Sequence, residues 1–227
     1  MNAFTYTILI LLIRAIVIVT TLPVHEFAHG YVAYRLGDPT PKYQGRLTLN
    51  PLAHLDFFGT ILLMLTGFGY AKPVSVNTFN FKNRKRDMAL VALAGPVANI
   101  LFALVVVIIY KLVICAQLFF GGFFATGIMD TFTNILYQIA YVSVGLAVFN
   151  LIPVPPLDGS RIALLFLPER TYFKIMQYER YIVLALFVLL FTGLLNVPLN
   201  FITDMIFKLI DIITYPLNML FNLLLWH

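Results

Sequence analysis

Residues 88–116 carry a single charged side chain, Lys111, in an otherwise largely apolar run. About 20 consecutive apolar residues suffice for a helix to cross a hydrocarbon core about 30 Å thick, and this run exceeds that length. Lipid then becomes the solvent, and in lipid only helices and closed barrels satisfy their own backbone groups. The rest of the chain agrees: 61% of residues are hydrophobic and only 11% charged, against roughly 45–50% and about 25% in soluble domains. So much apolar surface also excludes a disordered chain. The sequence predicts an all-α polytopic membrane protein of about 4–5 transmembrane helices.

The first apolar stretch covers about residues 3–36, with Arg14 inside it and Arg35 at its end. At ~1.5 Å per residue the two arginines stand ~31 Å apart along a helix. Each then reaches one interface and snorkels outward; the alternative buries Arg14 and starts the span near Ala3. Met1–Ile13 contains no Lys or Arg, and Thr20-Thr21-Leu22-Pro23 is no small-x-small cleavage site, so the segment reads as retained rather than as a signal peptide. Further spans are expected at about 88–116, 130–153 and 180–198, the last closed by Asn196 and Pro198. The stretch 201–226 carries Asp204, Lys208, Asp211, Asn218 and Asn222 at helical spacing and reads as a fifth span or an interfacial helix. The chain thus divides into a transmembrane core, 1–160, and C-terminal helices, 161–227.

The polar interval 37–87 contains two elements of its own. Phe57–Leu65 is apolar but too short to span, and suits a re-entrant segment. In Val74–Thr78, β-branched residues alternate with Ser75 and Asn77, which predicts a strand in a small membrane-associated β-hairpin. Pro73 at its start favours an edge, open to an extended substrate by strand addition or serving only as structure. Twelve of the 15 Lys and Arg residues lie in 35–87 or 161–180. Both intervals should face the cytosol, with the N-terminus outside. This bias accounts for the net charge of +5 without nucleic acid as a partner. Cys115 is the only cysteine, so no internal disulfide forms.

His25-Glu26-Phe27-Ala28-His29 is an H-E-x-x-H sequence. On a helix, positions i and i+4 share a face, so both imidazoles reach one metal ion, and Glu26 stands beside it to take a proton from a metal-bound water. Two His and a Glu on a membrane helix are costly unless used. A catalytic zinc site needs a third protein ligand and one open position; the residues offer His54, Asp56, Asp158 and, less readily, Asp38. Asp158 ends the run Asn150-Leu151-Ile152-Pro153-Val154-Pro155-Pro156-Leu157-Asp158-Gly159. Its prolines forbid a regular helix, and irregular backbone at membrane depth belongs against protein or a wet cavity. If Arg35 marks the cytosolic interface, His29 and His25 lie ~9–15 Å below it.

His25–His29 followed by Gly30, together with Asn150–Gly159, resembles the site-2 protease family of intramembrane zinc metalloproteases. Ala94-Gly95-Pro96-Val97-Ala98-Asn99 is similar to that family's central helix, and Gly45–Pro51 and Gly69–Val74 to its small bacterial and archaeal members. The resemblance covers about residues 20–160. It implies one zinc ion bound by His25, His29 and Asp158, with Glu26 as general base and Asn150 holding the oxyanion. From the residues alone, Asn150 could equally be a helix–helix hydrogen-bond partner. Asn99 reads as structural, Gly95 as permitting close helix approach, and Arg161 as an interfacial anchor. The implied activity is hydrolysis of peptide bonds in transmembrane segments of membrane proteins. The implied setting is a prokaryotic cell membrane, with lipid all round and the site open to the cytosol. The connection between the second and third spans is too short for a PDZ domain, and no nucleotide-sensing domain is expected after the last. Two other readings are a non-catalytic membrane metal-binding or metal-transport protein and a proteolytically inactive scaffold. Polar groups that thin out towards the outer half argue against the first, and an intact Glu26 against the second.

Overall fold

The computed structural model describes residues 3–66, 72–119 and 126–225. Within them every regular element is helical: α1 (Ala3–Arg35), α2 (Thr40–Tyr43), α3 (Phe57–Thr66), α4 (Arg84–Phe119), α5 (Thr126–Asn150), α6 (Asp158–Ala163), α7 (Glu169–Gln177), α8 (Glu179–Phe191), α9 (Asn196–Ile213) and α10 (Tyr215–Leu225), with 3₁₀ turns at Pro51–Ala53 and Thr78–Asn80. Among the described residues three helices are long and apolar enough to cross a membrane: Leu11–Arg35 within α1, α4, and Gly127–Asn150 within α5. The expected re-entrant run forms α3, whose 10 residues reach only ~15 Å. Gly67-Phe68-Gly69, the start of the Gly69–Val74 motif and the connection at 120–125 lie outside the described residues.

The first departure from expectation is at the C-terminal end, where the count of 4–5 spans is not confirmed. α8 and α9 meet at 80° across a short break, and only if the pair is one broken span does the number rise to four. Asn196 and Pro198, read from sequence as closing a span, instead open α9. A proline in the first turn costs no hydrogen bond, because that N–H has no partner in the helix. The stop comes earlier, at Gly193, whose φ of 73° is left-handed and suits glycine. The expected fifth element, 201–226, is divided between α9 and α10. Part of its polar stripe faces protein: Lys111 Nζ of α4 donates to Asp211 Oδ1 of α9 at 2.6 Å.

The second correction concerns the strand. Among the described residues none is in a β-ladder. Residues 72–77 do keep the predicted period of two: Val74 is buried, Ser75 and Asn77 exposed, Val76 between. What they lack is a neighbouring strand. Two carboxylates of the α1 region take its place. Glu26 Oε2 accepts from the Val74 N–H at 3.2 Å, and Asp38 Oδ2 accepts from the Asn77 N–H at 2.7 Å. The Lys72 N–H donates to the His54 carbonyl at 2.9 Å.

The core lies where α1, α4, α5 and α9 meet, around Val17, Ala103, Val106, Leu136, Ala140, Val144 and Ile210. Lipid solvates leucine as well as a core does, so burial in a membrane sorts residues by size rather than by polarity. α4 follows this rule. Gly95, Asn99, Ala103 and Val107 face inward, while Leu101, Val105 and Leu112 are exposed. The small inward side chains let α4 approach both α1 and α5 closely, and α4 also packs against α6. That central position gives α4 its part in the site.

Candidate metal centre

α1 carries His25, Glu26 and His29 about a turn past Pro23, and all four residues are buried. The i, i+4 spacing puts both imidazoles on one face, with ring centroids 4.6 Å apart at 87°. α4 crosses that face at Gly95. A Cβ there would stand 2.6 Å from His25 Cε1 and also overlap the His29 ring, so glycine is the residue that lets α4 lie against the two rings. The sequence reading of Gly95 as a close-approach residue holds.

Asp158 arrives from the other side as the first residue of α6. Between α5 and α6 the chain turns tightly through Pro153, Pro155 and Pro156, and the Leu157 N–H donates to the Val154 carbonyl at 3.0 Å. Gly159 completes the turn, for a Cβ there would stand 2.5 Å from the Leu151 carbonyl carbon. The segment therefore folds back on the end of α5, and α6 packs on α4. Asp158 Oδ2 then lies 3.2 Å from His25 Nε2 and 3.1 Å from His29 Nε2. The two Nε2 atoms are 3.0 Å apart.

Three ligand atoms thus form a nearly equilateral triangle. Among the described residues this is the group of His, Cys, Asp and Glu side chains that could hold a metal ion. The donor set fits zinc. Bonds of about 2.0–2.2 Å in a tetrahedron separate ligand atoms by roughly 3.3–3.6 Å, a little above the edges observed. Asp158 Oδ2 is buried with no hydrogen bond of acceptable geometry, an arrangement that costs energy unless a cation satisfies it. Two nitrogens and one oxygen also leave the open fourth position of a catalytic site.

A cavity of about 840 Å³ opens on this triangle, and Glu26, Asn150, Pro73 and Val74 line it together with the three ligand residues. It extends between α1, α5, α8 and α9 as far as Arg14 and Asn200, over mostly apolar walls such as Val17, Leu22 and Phe187. Asn150 lines the cavity. Its Nδ2 donates to the Leu146 carbonyl of its own helix at 3.0 Å. Arg161, read as an interfacial anchor, also lines the cavity beside Asp158.

The other ligand candidates are engaged elsewhere. His54 is fully buried, with Nε2 2.8 Å from the Thr48 carbonyl, in a loop where the Arg46 guanidinium donates to the Ala53 carbonyl. Asp56 Oδ1 accepts from the Gly59 N–H at 2.9 Å and caps the start of α3. Asp38 is fully buried and gathers four donors: the Thr40 N–H at 3.1 Å, the Thr40 hydroxyl at 2.6 Å, Asn80 Nδ2 at 2.7 Å and the Asn77 N–H at 2.7 Å. Burial alone would push its carboxyl up, but hydrogen bonds from Thr40, Asn80 and Asn77 hold it below the ordinary carboxylate value. Sequence reasoning missed this hub, and nothing in the spacing of Asp38, Asn77 and Asn80 signals it.

The comparisons with known proteins point the same way. The family model of peptidase family M50 matches residues 13–126 and 117–194. The Bacillus subtilis protein named "Putative zinc metalloprotease YwhC" is 42% identical over 206 residues, 89% of this chain and 92% of that protein. The Mycolicibacterium smegmatis protein named "Putative zinc metalloprotease Rip2" is 28% identical over 78% of this chain and 65% of its own length. An archaeal relative, "Putative zinc metalloprotease MJ0611" of Methanocaldococcus jannaschii, is 25% identical over 69% of this chain and 72% of its own. No solved structure matches. The buried two-histidine face and the matches along most of the sequence lead to one family: this chain belongs to peptidase family M50, the site-2 proteases.

Proposed function

We infer that this chain is an intramembrane zinc metalloprotease that cleaves peptide bonds within transmembrane segments of other membrane proteins. The observation that carries the reading is the convergence of His25 Nε2, His29 Nε2 and Asp158 Oδ2 within 3.0–3.2 Å of one another on one wall of an apolar cavity. His25, His29 and Asp158 hold one zinc ion. When bound, zinc supplies a Lewis acid that makes a water a strong nucleophile near neutral pH and polarises a carbonyl. Glu26 is the general base: its carboxylate faces the cavity and takes the proton of the attacking water, then hands it to the leaving amine. The Val74 N–H donates to that carboxylate and holds it in place. Asn150, at the same cavity, supplies an amide donor to the developing oxyanion once it gives up its bond to Leu146. The apolar walls suit a membrane-spanning substrate and exclude bulk water. The Lys and Arg distribution supports a cytosolic opening.

The test is purified protein in detergent, assayed for zinc content and for cleavage of a membrane segment. Glu26→Gln should retain zinc and lower cleavage by ~10²–10⁴-fold, the usual worth of a general base. Near-wild-type turnover with zinc bound would place the proton acceptor elsewhere. Zinc without any cleavage by the wild type would favour a metal-binding role.

A further inference from the structure

Val91, Gly95 and Asn99 stand four residues apart on α4 and lie above one another on the face turned to α1. Each meets the histidines differently. The Val91 carbonyl is 2.7 Å from His29 Nδ1. A carbonyl only accepts, so His29 Nδ1 carries the hydrogen and Nε2 presents a lone pair to the triangle. Gly95 leaves room for both rings. Asn99, fully buried, has its amide 3.2 Å from His25 Nδ1.

The orientation of that amide decides what His25 can do. With Nδ2 towards the ring, His25 Nδ1 must accept, and the ring hydrogen moves to Nε2, the atom 3.2 Å from Asp158 Oδ2. A hydrogen there would occupy the place of a metal bond. Half a turn of the amide, which has the same outline either way, brings Oδ1 to the ring as an acceptor. His25 Nδ1 then carries the hydrogen, and both Nε2 lone pairs converge on the carboxylate corner. Ligating histidines are commonly fixed through their other nitrogen in this manner. The turn of α4 that bears Asn99 is itself held, because the Ser143 hydroxyl of α5 donates to the Asn99 carbonyl at 2.9 Å, both groups buried.

We propose that Asn99 is a positioning residue whose Oδ1 accepts the His25 Nδ1 hydrogen and fixes the tautomer that binds metal, as the Val91 carbonyl does for His29. The proposal rests on the zinc-protease reading. It adds that one face of α4 orients both ligand rings.

The rival role, a structural bond donated by Nδ2, is separated by the choice of variant. Aspartate only accepts, and leucine does neither. Full-length wild type, Asn99→Asp and Asn99→Leu would be titrated with zinc against a chelator in detergent, and the metal-free proteins melted in parallel. Asn99→Leu should bind zinc about 10–100-fold more weakly, the range for loss of such a partner. Asn99→Asp should stay within about threefold of wild type or bind more tightly. An Asp variant that folds yet loses as much affinity as Leu would overturn the assignment, as would a Leu variant that binds like wild type. If Asn99→Leu does not fold, Asn99→Asp decides alone. Failure of the wild type to bind zinc would instead remove the underlying reading, and this proposal with it.

Discussion

At the scale of single residues, the site depends on atoms that have no alternative place to go. Asp158 supplies the third corner of the ligand triangle, whereas His54 bonds within its own loop. Asp158→Ala should therefore strip most zinc affinity and activity, and His54→Ala should leave zinc bound while lowering stability. Leaving the buried partners of His54 unsatisfied costs about 1–3 kcal/mol. Metal analysis of both purified variants checks this, and zinc lost only from the His54 variant would reverse the ligand assignment. Gly95 makes a sharper case. In a helix interior alanine is favoured over glycine by about 1 kcal/mol, but here its Cβ would collide with both imidazoles. Overpacking costs about 1–3 kcal/mol, and its strain falls on the ligands themselves. Gly95→Ala should thus lose zinc occupancy even if the protein stays folded. A variant with full zinc would mean that α1 and α4 separate easily at this crossing.

At the scale of elements, the sequence disclosed best what repeats and worst what is shared between distant segments. The two histidines were legible because i, i+4 spacing has one geometric meaning, and Asp158 because prolines interrupt an apolar run. The extended stretch was legible in its alternation but not in its pairing, because the groups that bind it are side chains of Glu26 and Asp38 rather than another strand. Val91 was invisible, since it contributes only a carbonyl that every residue possesses. The α8–α9 break was misread because Pro198 ends or begins a helix equally well. The tether makes its own prediction. Asp38 has a folded carboxyl value below the ordinary ~3.9, so its contribution is fully present above that pH and is lost as pH falls through the lower folded value. Asp38→Asn should loosen residues 77–80 at neutral pH, where the charged acceptor is replaced by an amide that competes as a donor. Hydrogen bonds to a charged group are worth about 1.5–3 kcal/mol. Hydrogen exchange at the Asn77 N–H should rise in the variant. Wild type should match it only once the pH has fallen below the ordinary carboxylate range. Exchange unchanged by the substitution would show that the extended segment is held by its side chains instead.

At the scale of the whole molecule, the placement of the metal centre follows from which way the helices run. α1 ends at Arg35 and α4 begins at Arg84, so the ends of these two helices lie on one side together with the basic stretch 82–86. α5 starts near Ile128 at the opposite side and delivers Asn150 and then Asp158 back towards the first. Three crossings thus bring the candidate ligands of α1 and α6 to one level, and α4 packs against both helices there. If Arg35 marks one interface, the level is ~9–15 Å below it, well inside a ~30 Å hydrocarbon layer. Which leaflet that is depends only on orientation, and the two basic intervals, which hold twelve of the 15 Lys and Arg residues, are expected in the cytosol. The expectation is tested in intact cells with an impermeant thiol reagent, after Cys115 is replaced by serine. Lys82→Cys and Lys174→Cys, both at exposed positions, should label only when the membrane is opened. Ile128→Cys, 71% exposed at the other end of α5, should label from outside. Labelling of Lys82→Cys in unopened cells would invert the topology and move the zinc to the outer leaflet. The water for hydrolysis would then come from the cell exterior, and substrates would have to present their scissile bond at the opposite face of the membrane.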